Sequence, residues 1–140
     1  MTLLPRNPAA RRYMLRVTGA MTVYVVGLIA AYYLIENELV SGPLVWAVAV
    51  LPGLAIASMF YAVGMLILEQ KDEFLRMLLI RQNLIAMALA MSVVVIWGFL
   101  EGFGLVDHVA GYLIVVWWAV GLMIGAISNR MTHGSWGQCW

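Results

Sequence analysis

The sequence predicts an all-α fold: an integral membrane four-helix bundle, up-down-up-down, made of two hairpins joined by a charged cytoplasmic elbow. Three observations predict it. Of 140 residues, 64% are hydrophobic and only 11% charged, and the mean hydropathy is +0.94. A soluble domain of this length needs far more charge to cover its surface. Four apolar runs are each long enough to cross a hydrocarbon core of about 30 Å. Interior charge is gathered into one stretch, residues 69–82 (EQKDEFLRMLLIRQ), which holds three of the seven acids and three of the eight basic residues.

Residues 1–12 read as a short polar arm, with Pro5 and Pro8 favouring an extended or frayed chain. Arg11, Arg12 and Arg16 mark an interface. Span one covers residues 17–35, and Tyr32 and Tyr33 at its far end suit an aromatic belt at headgroup level. Its length and the lack of a small-x-small cleavage site make it a retained span rather than a cleaved signal. Glu36 and Glu38 follow in a loop. Ser41-Gly42-Pro43 is a turn and helix start, since proline in the first turn sacrifices no hydrogen bond. Span two covers residues 44–68, with a kink expected at Pro52-Gly53.

Span three covers residues 84–100, but its helix is expected to begin near Asp72, a candidate N-cap. From there to Leu100 a helix runs about 43 Å at 1.5 Å per residue. That exceeds the apolar core, so its first turns stand at the interface or in the cytoplasm. Gly102 is the expected C-cap. Asp107 is the expected N-cap of span four, residues 109–128. The polar tail beyond carries Trp136 and Trp140, either resting at the interface or disordered.

With four spans, the Lys and Arg residues at positions 6, 11, 12, 16, 71, 76, 81 and 130 all fall on one side. Glu36, Glu38, Glu101, Asp107 and His108 fall on the other. The positive-inside rule then places both termini and the elbow in the cytoplasm, and the composition suits a bacterial inner (plasma) membrane. Arg16 and Glu36 are twenty residues apart, as are Arg81 and Glu101. Each separation is about 30 Å along a helix, one bilayer core. Both segments end in aromatic-rich sequence before the acid, YYLIE and WGFLE. The two hairpins are therefore either a duplication related by an axis along the membrane normal or two apolar hairpins alike in composition alone.

Several chemistries are disfavoured. A net charge of +1 provides no basic stripe for nucleic acid. The single cysteine, Cys139, allows neither an internal disulfide nor a cysteine-based zinc site within one chain. His108 lies at the outer mouth of span four and His133 in the tail, so a buried haem with two axial histidines is not expected. No ionisable side chain lies mid-span, whereas ion-coupled transporters need one to bind and release the coupling ion. The small multidrug transporters are similar in size and span number, but are built around an acid in the first span that this chain lacks. Met87 and Met91 share a helix face, and Met59 and Met65 line span two. Methionine is an ordinary filler of apolar contacts, and no metal or other cofactor is expected.

Two groups of residues stand out. If the elbow is helical, Glu69, Asp72, Glu73 and Arg76 fall at i, i+3, i+4 and i+7 on one face, where Asp72 and Glu73 can pair with Arg76. Together with Arg81 they form either a solvated cap holding the hairpins in register or a docking site for another protein. In span four, Gly121-x-x-x-Gly125 creates a flat strip on one helix face. It serves packing within the bundle, or homodimerisation or docking to a larger partner. The leading expectation is a non-enzymatic accessory, assembly or scaffold subunit of a larger membrane complex. Its partners would be the lipid bilayer and either another membrane protein or a second copy. The alternative is an oligomeric channel or transporter with its pore between protomers. A third reading is a quinone- or metal-binding subunit acting at Glu101, Asp107 and His108.

Overall fold

The computed structural model describes residues 7–137. They are all-helical: 83% lies in helix, and no strand occurs among them. The elements are α1 (Pro8–Glu36), α2 (Pro43–Glu69), α3 (Glu73–Gly102), a 3-10 turn (Gly111–Leu113) and α4 (Ile114–His133). α1, α2, α3 and the continuous stretch Gly111–His133 are each long and apolar enough to cross a membrane. An α-helix satisfies its backbone polar groups internally, which is what a solvent without hydrogen-bond partners demands.

Helix ends differ from the sequence expectations in specific ways. The arm expected to be extended up to residue 12 is helical from Pro8, because proline suits the first helical position and Asn7 caps it. The Asn7 Oδ1 accepts from the Ala9 N–H at 3.0 Å. The positions before Asn7 lie outside the described residues. Pro43 starts α2 as expected, after Gly42 at φ 62°, a left-handed value that glycine adopts without a Cβ clash. The α2 helix continues through Pro52. Asp72 caps α3, its Oδ1 accepting from the Phe74 and Leu75 N–H groups. Gly102, the expected C-cap, is instead the last helical residue. The chain turns at Phe103 and Gly104, whose φ is 70°. Nor does Asp107 cap the fourth helix: the 3-10 turn precedes α4, and the turn is capped by Ala110 with no side-chain bond. Finally, α4 runs five residues beyond the expected end of the span, to His133, and Gly134 at φ 70° closes it. Gln138, Cys139 and Trp140 lie outside the described residues.

The described chain forms two compact units, residues 7–70 and 71–137. The first is the hairpin of α1 on α2. Its seam is made mostly of small side chains, Ala20, Gly27 and Ala31 on α1 and Ala55 and Ala62 on α2, with Leu66 of α2 buried beside them. Spacings of seven and four keep each set on one helix face. A Cβ placed on Gly27 would lie 2.8 Å from Leu51 Cδ2, so the glycine accepts that leucine.

The second unit is the hairpin of α3 on α4, and its register is regular. Leu78 meets Asn129, Gln82 meets Gly125 and Ala86 meets Gly121. Each step of four residues up α3 matches four back along α4. The i, i+4 row of one helix thus lies against the i, i+4 row of an antiparallel neighbour.

The cap at Asp72 is open to direct test. Asp72→Ala removes two acceptor bonds at the start of α3 and should lower stability by about 0.5–2 kcal/mol. Asp72→Asn, which keeps an acceptor, should retain most of it. Thermal unfolding of both variants in the same detergent is the measurement; equal losses would show that the cap contributes nothing.

Candidate functional site

The charged residues singled out between α2 and α3 are divided by the structure. Three residues, Gln70 to Asp72, separate the two helices, so Glu69 ends α2 while Glu73 and Arg76 belong to α3. The face expected to join all four residues is therefore split. Its physical cause is the Asp72 cap, which accepts from Phe74 and Leu75 and starts a new helix rather than continuing the old one.

Glu69 turns back onto its own hairpin. Its Oε1 accepts from Arg16 Nη2 at 2.7 Å, and its Oε2 lies 3.1 Å from Arg12 Nε. Arg12 and Arg16 stand one turn apart on α1, where two like charges repel. One carboxylate with an oxygen for each guanidinium relieves that repulsion and ties α2 to α1. Beside it, Asn7 Nδ2 donates to Gln70 Oε1 at 3.0 Å, with Gln70 buried. The end of the first hairpin where α1 begins and α2 finishes is thus closed by polar side chains from both helices.

Arg81 does the same for the second hairpin. Its Nη1 donates to Thr132 Oγ1 at 2.7 Å and its Nη2 to Ser128 Oγ at 3.2 Å. Gln82 Nε2 donates to the Leu122 carbonyl, and the fully buried Asn129 donates to the Leu78 carbonyl at 3.0 Å. Gly121 and Gly125 face these residues. A Cβ on Gly121 would fall 2.5 Å from Ala86 Cα, and one on Gly125 would fall 2.9 Å from Gln82 Cα. Backbone cannot yield as a side chain does, so the strip is occupied by α3 and is not a free dimer surface.

Glu73 and Arg76 remain exposed. Their side chains are 90% and 44% accessible, and their mutual contact is a loose 3.9 Å. Phe74, Met77 and Ile80 on the same turns are also exposed large hydrophobics. Of the five docking candidates, Glu69, Asp72 and Arg81 have structural duties within their own hairpins. Glu73 and Arg76 are those presented outward.

At the opposite end of the second hairpin, Glu101 Oε1 lies 2.6 Å from His108 Nδ1. Trp97 Nε1 donates to the Asp107 carbonyl at 3.3 Å. The Asp107 side chain does not join them, and among the described residues no three His, Cys, Asp or Glu side chains are placed to hold a metal. No protein-family model, curated protein or solved structure matches this sequence. The arrangement of side chains is therefore the ground for any functional reading.

The sequence signalled some of these residues only faintly. Arg12 and Arg16 read as interface markers, although their i, i+4 spacing called for a counter-charge. Asn129 continues the four-residue rhythm of Gly121 and Gly125, which was the available sign that a polar residue would be buried there. Nothing in the sequence paired Asn7 with Gln70.

Two tests follow from these contacts. Gly121→Ala should destabilise the second hairpin by about 1–3 kcal/mol through overpacking against backbone. Gly98→Ala, where a Cβ meets nothing within 4 Å, should be neutral or add up to about 1 kcal/mol from reduced backbone entropy. Unfolding of both variants in mixed micelles gives the comparison, and similar behaviour would show that the seam is not close-packed. At the other hairpin, Glu69→Gln should speed amide exchange in the first turns of α1 and the last turn of α2. Glu73→Gln should leave exchange there unchanged; an equal response would mean that the double arginine contact holds nothing.

Proposed function

We propose that this chain is a non-catalytic accessory or scaffold subunit of a larger membrane complex. In this reading it spans an inner membrane four times, up-down-up-down, with both termini and the 69–82 segment in the cytoplasm. The observation that carries the reading is the allocation of polar side chains near the inner helix ends. Arg12, Arg16, Glu69, Asn7, Gln70, Arg81, Gln82 and Asn129 are spent on closing the two hairpins. Glu73 and Arg76, flanked by exposed Phe74, Met77 and Ile80, are left outward on the first two turns of α3. A mixed patch of charges and protruding large hydrophobics is the composition of a protein contact rather than of a solvated cap. The apolar helices support the same reading: no helix buries more than 17% of its most apolar window within the chain, leaving broad faces for lipid or neighbouring spans.

Affinity purification from native membranes in a mild detergent tests this. The expected result is a stoichiometric complex with at least one other membrane protein, released by Glu73→Lys together with Arg76→Glu. The double variant should still insert and keep its helical content. A lone homo-oligomer that moves solute in liposomes would replace the proposal with the channel or transporter reading. Reporter fusions at each end check the orientation, and activity of a periplasmic reporter at either terminus would overturn it.

A further inference from the structure

The outer end of the second hairpin contains a cleft that its packing does not require. It has a volume of about 340 Å³ and lies between the last turns of α3 and the start of α4, within the range of about 300–1,000 Å³ usual for small-ligand sites. Its walls are apolar and aromatic, chiefly Val94, Trp97, Val109, Ile114 and Trp117, and Glu101 is the one ionisable side chain among its lining residues. Gly98 helps to open it: a Cβ there would meet nothing within 4 Å.

From this arrangement we infer a binding site for an amphiphilic organic cation, one with a weakly hydrated positive charge on an aromatic or alkyl body. Charge complementarity selects the sign. Between Arg81 and Arg130 the sequence has no Lys or Arg, while it has Glu101 and Asp107, so an anion entering the cleft meets only acids and a histidine. The walls select the body. An inorganic cation would have to shed its water against apolar side chains, at a cost that one carboxylate does not recover. An alkylated or delocalised cation sheds little, and tryptophan faces attract it through their quadrupole. Glu101 Oε1 is positioned by His108 Nδ1 at 2.6 Å, and the pair carries a net negative charge whenever that imidazole is neutral.

The test uses two ions of the same shape and opposite charge. Purified protein in neutral-lipid nanodiscs should bind radiolabelled tetraphenylphosphonium saturably at one site, and tetraphenylborate should not displace it. Glu101→Gln should weaken binding at least tenfold. Gly98→Leu should abolish it by filling the cleft, with the helical circular dichroism of both variants unchanged. Absence of saturable binding, native affinity in Glu101→Gln, or displacement by tetraphenylborate as effective as by unlabelled cation would each overturn the assignment; the last would leave an apolar slot indifferent to charge.

Discussion

Close approach of two helix backbones is the constraint on which each hairpin depends. In lipid the tails are as apolar as leucine, so burying aliphatic side chains does not by itself drive helices together. What remains is dispersion across a tight seam, interhelical hydrogen bonds, and short connections. The second hairpin shows the constraint most clearly. Glycines at 121 and 125 admit the α3 backbone to a distance that a methyl group would forbid. That closeness is what lets Asn129 reach the Leu78 carbonyl and Gln82 reach the Leu122 carbonyl. The first hairpin is looser in kind: its seam glycine meets a leucine side chain, which can shift, rather than a backbone, which cannot.

Both hairpins are closed at the same place by the same device. An arginine near the start of the outgoing helix reaches the end of the returning one. Arg16 meets Glu69 across 53 residues of sequence, and Arg81 meets Thr132 across 51. The partners differ, a carboxylate in one and two hydroxyls in the other. The carboxylate occurs where two arginines must be neutralised together and the hydroxyls where one stands alone. This shared plan concerns contacts, whereas the equal spacing of Arg16–Glu36 and Arg81–Glu101 concerns sequence alone.

The functional consequence lies in which groups the folding constraint leaves over. A charge engaged at a hairpin end is unavailable to a partner, since removing it would strand a counter-charge at a half-buried site. Glu73 and Arg76 share only a loose 3.9 Å contact with each other, whereas Phe74 beside them packs edge-on against His133 and Glu101 is bound by His108 within its own hairpin end. The surface proposed for a protein contact and the cleft proposed for a small molecule lie at opposite ends of the second hairpin.

The sequence by itself determined the number of helices, their approximate extent and the segregation of charge, because apolar length and helix-capping chemistry are local properties. Pro43 and Asp72 were legible as helix starts for that reason. Pro8 starts α1 where the sequence predicts a frayed arm, since a proline at the first helical position and one in an extended arm look alike without the Asn7 cap. Asp107 does not cap the fourth helix because a 3-10 turn starting after Ala110 leads into it. Only the tertiary structure decided who partners whom. It sent Glu69 back to Arg12 and Arg16 instead of along a continuous elbow face, turned Gly121 and Gly125 inward against α3, and gathered Trp97, Glu101 and Trp117 around one cleft. Those outcomes depend on the register between helices distant in sequence. That register is set by shape complementarity across a seam, which no local pattern encodes.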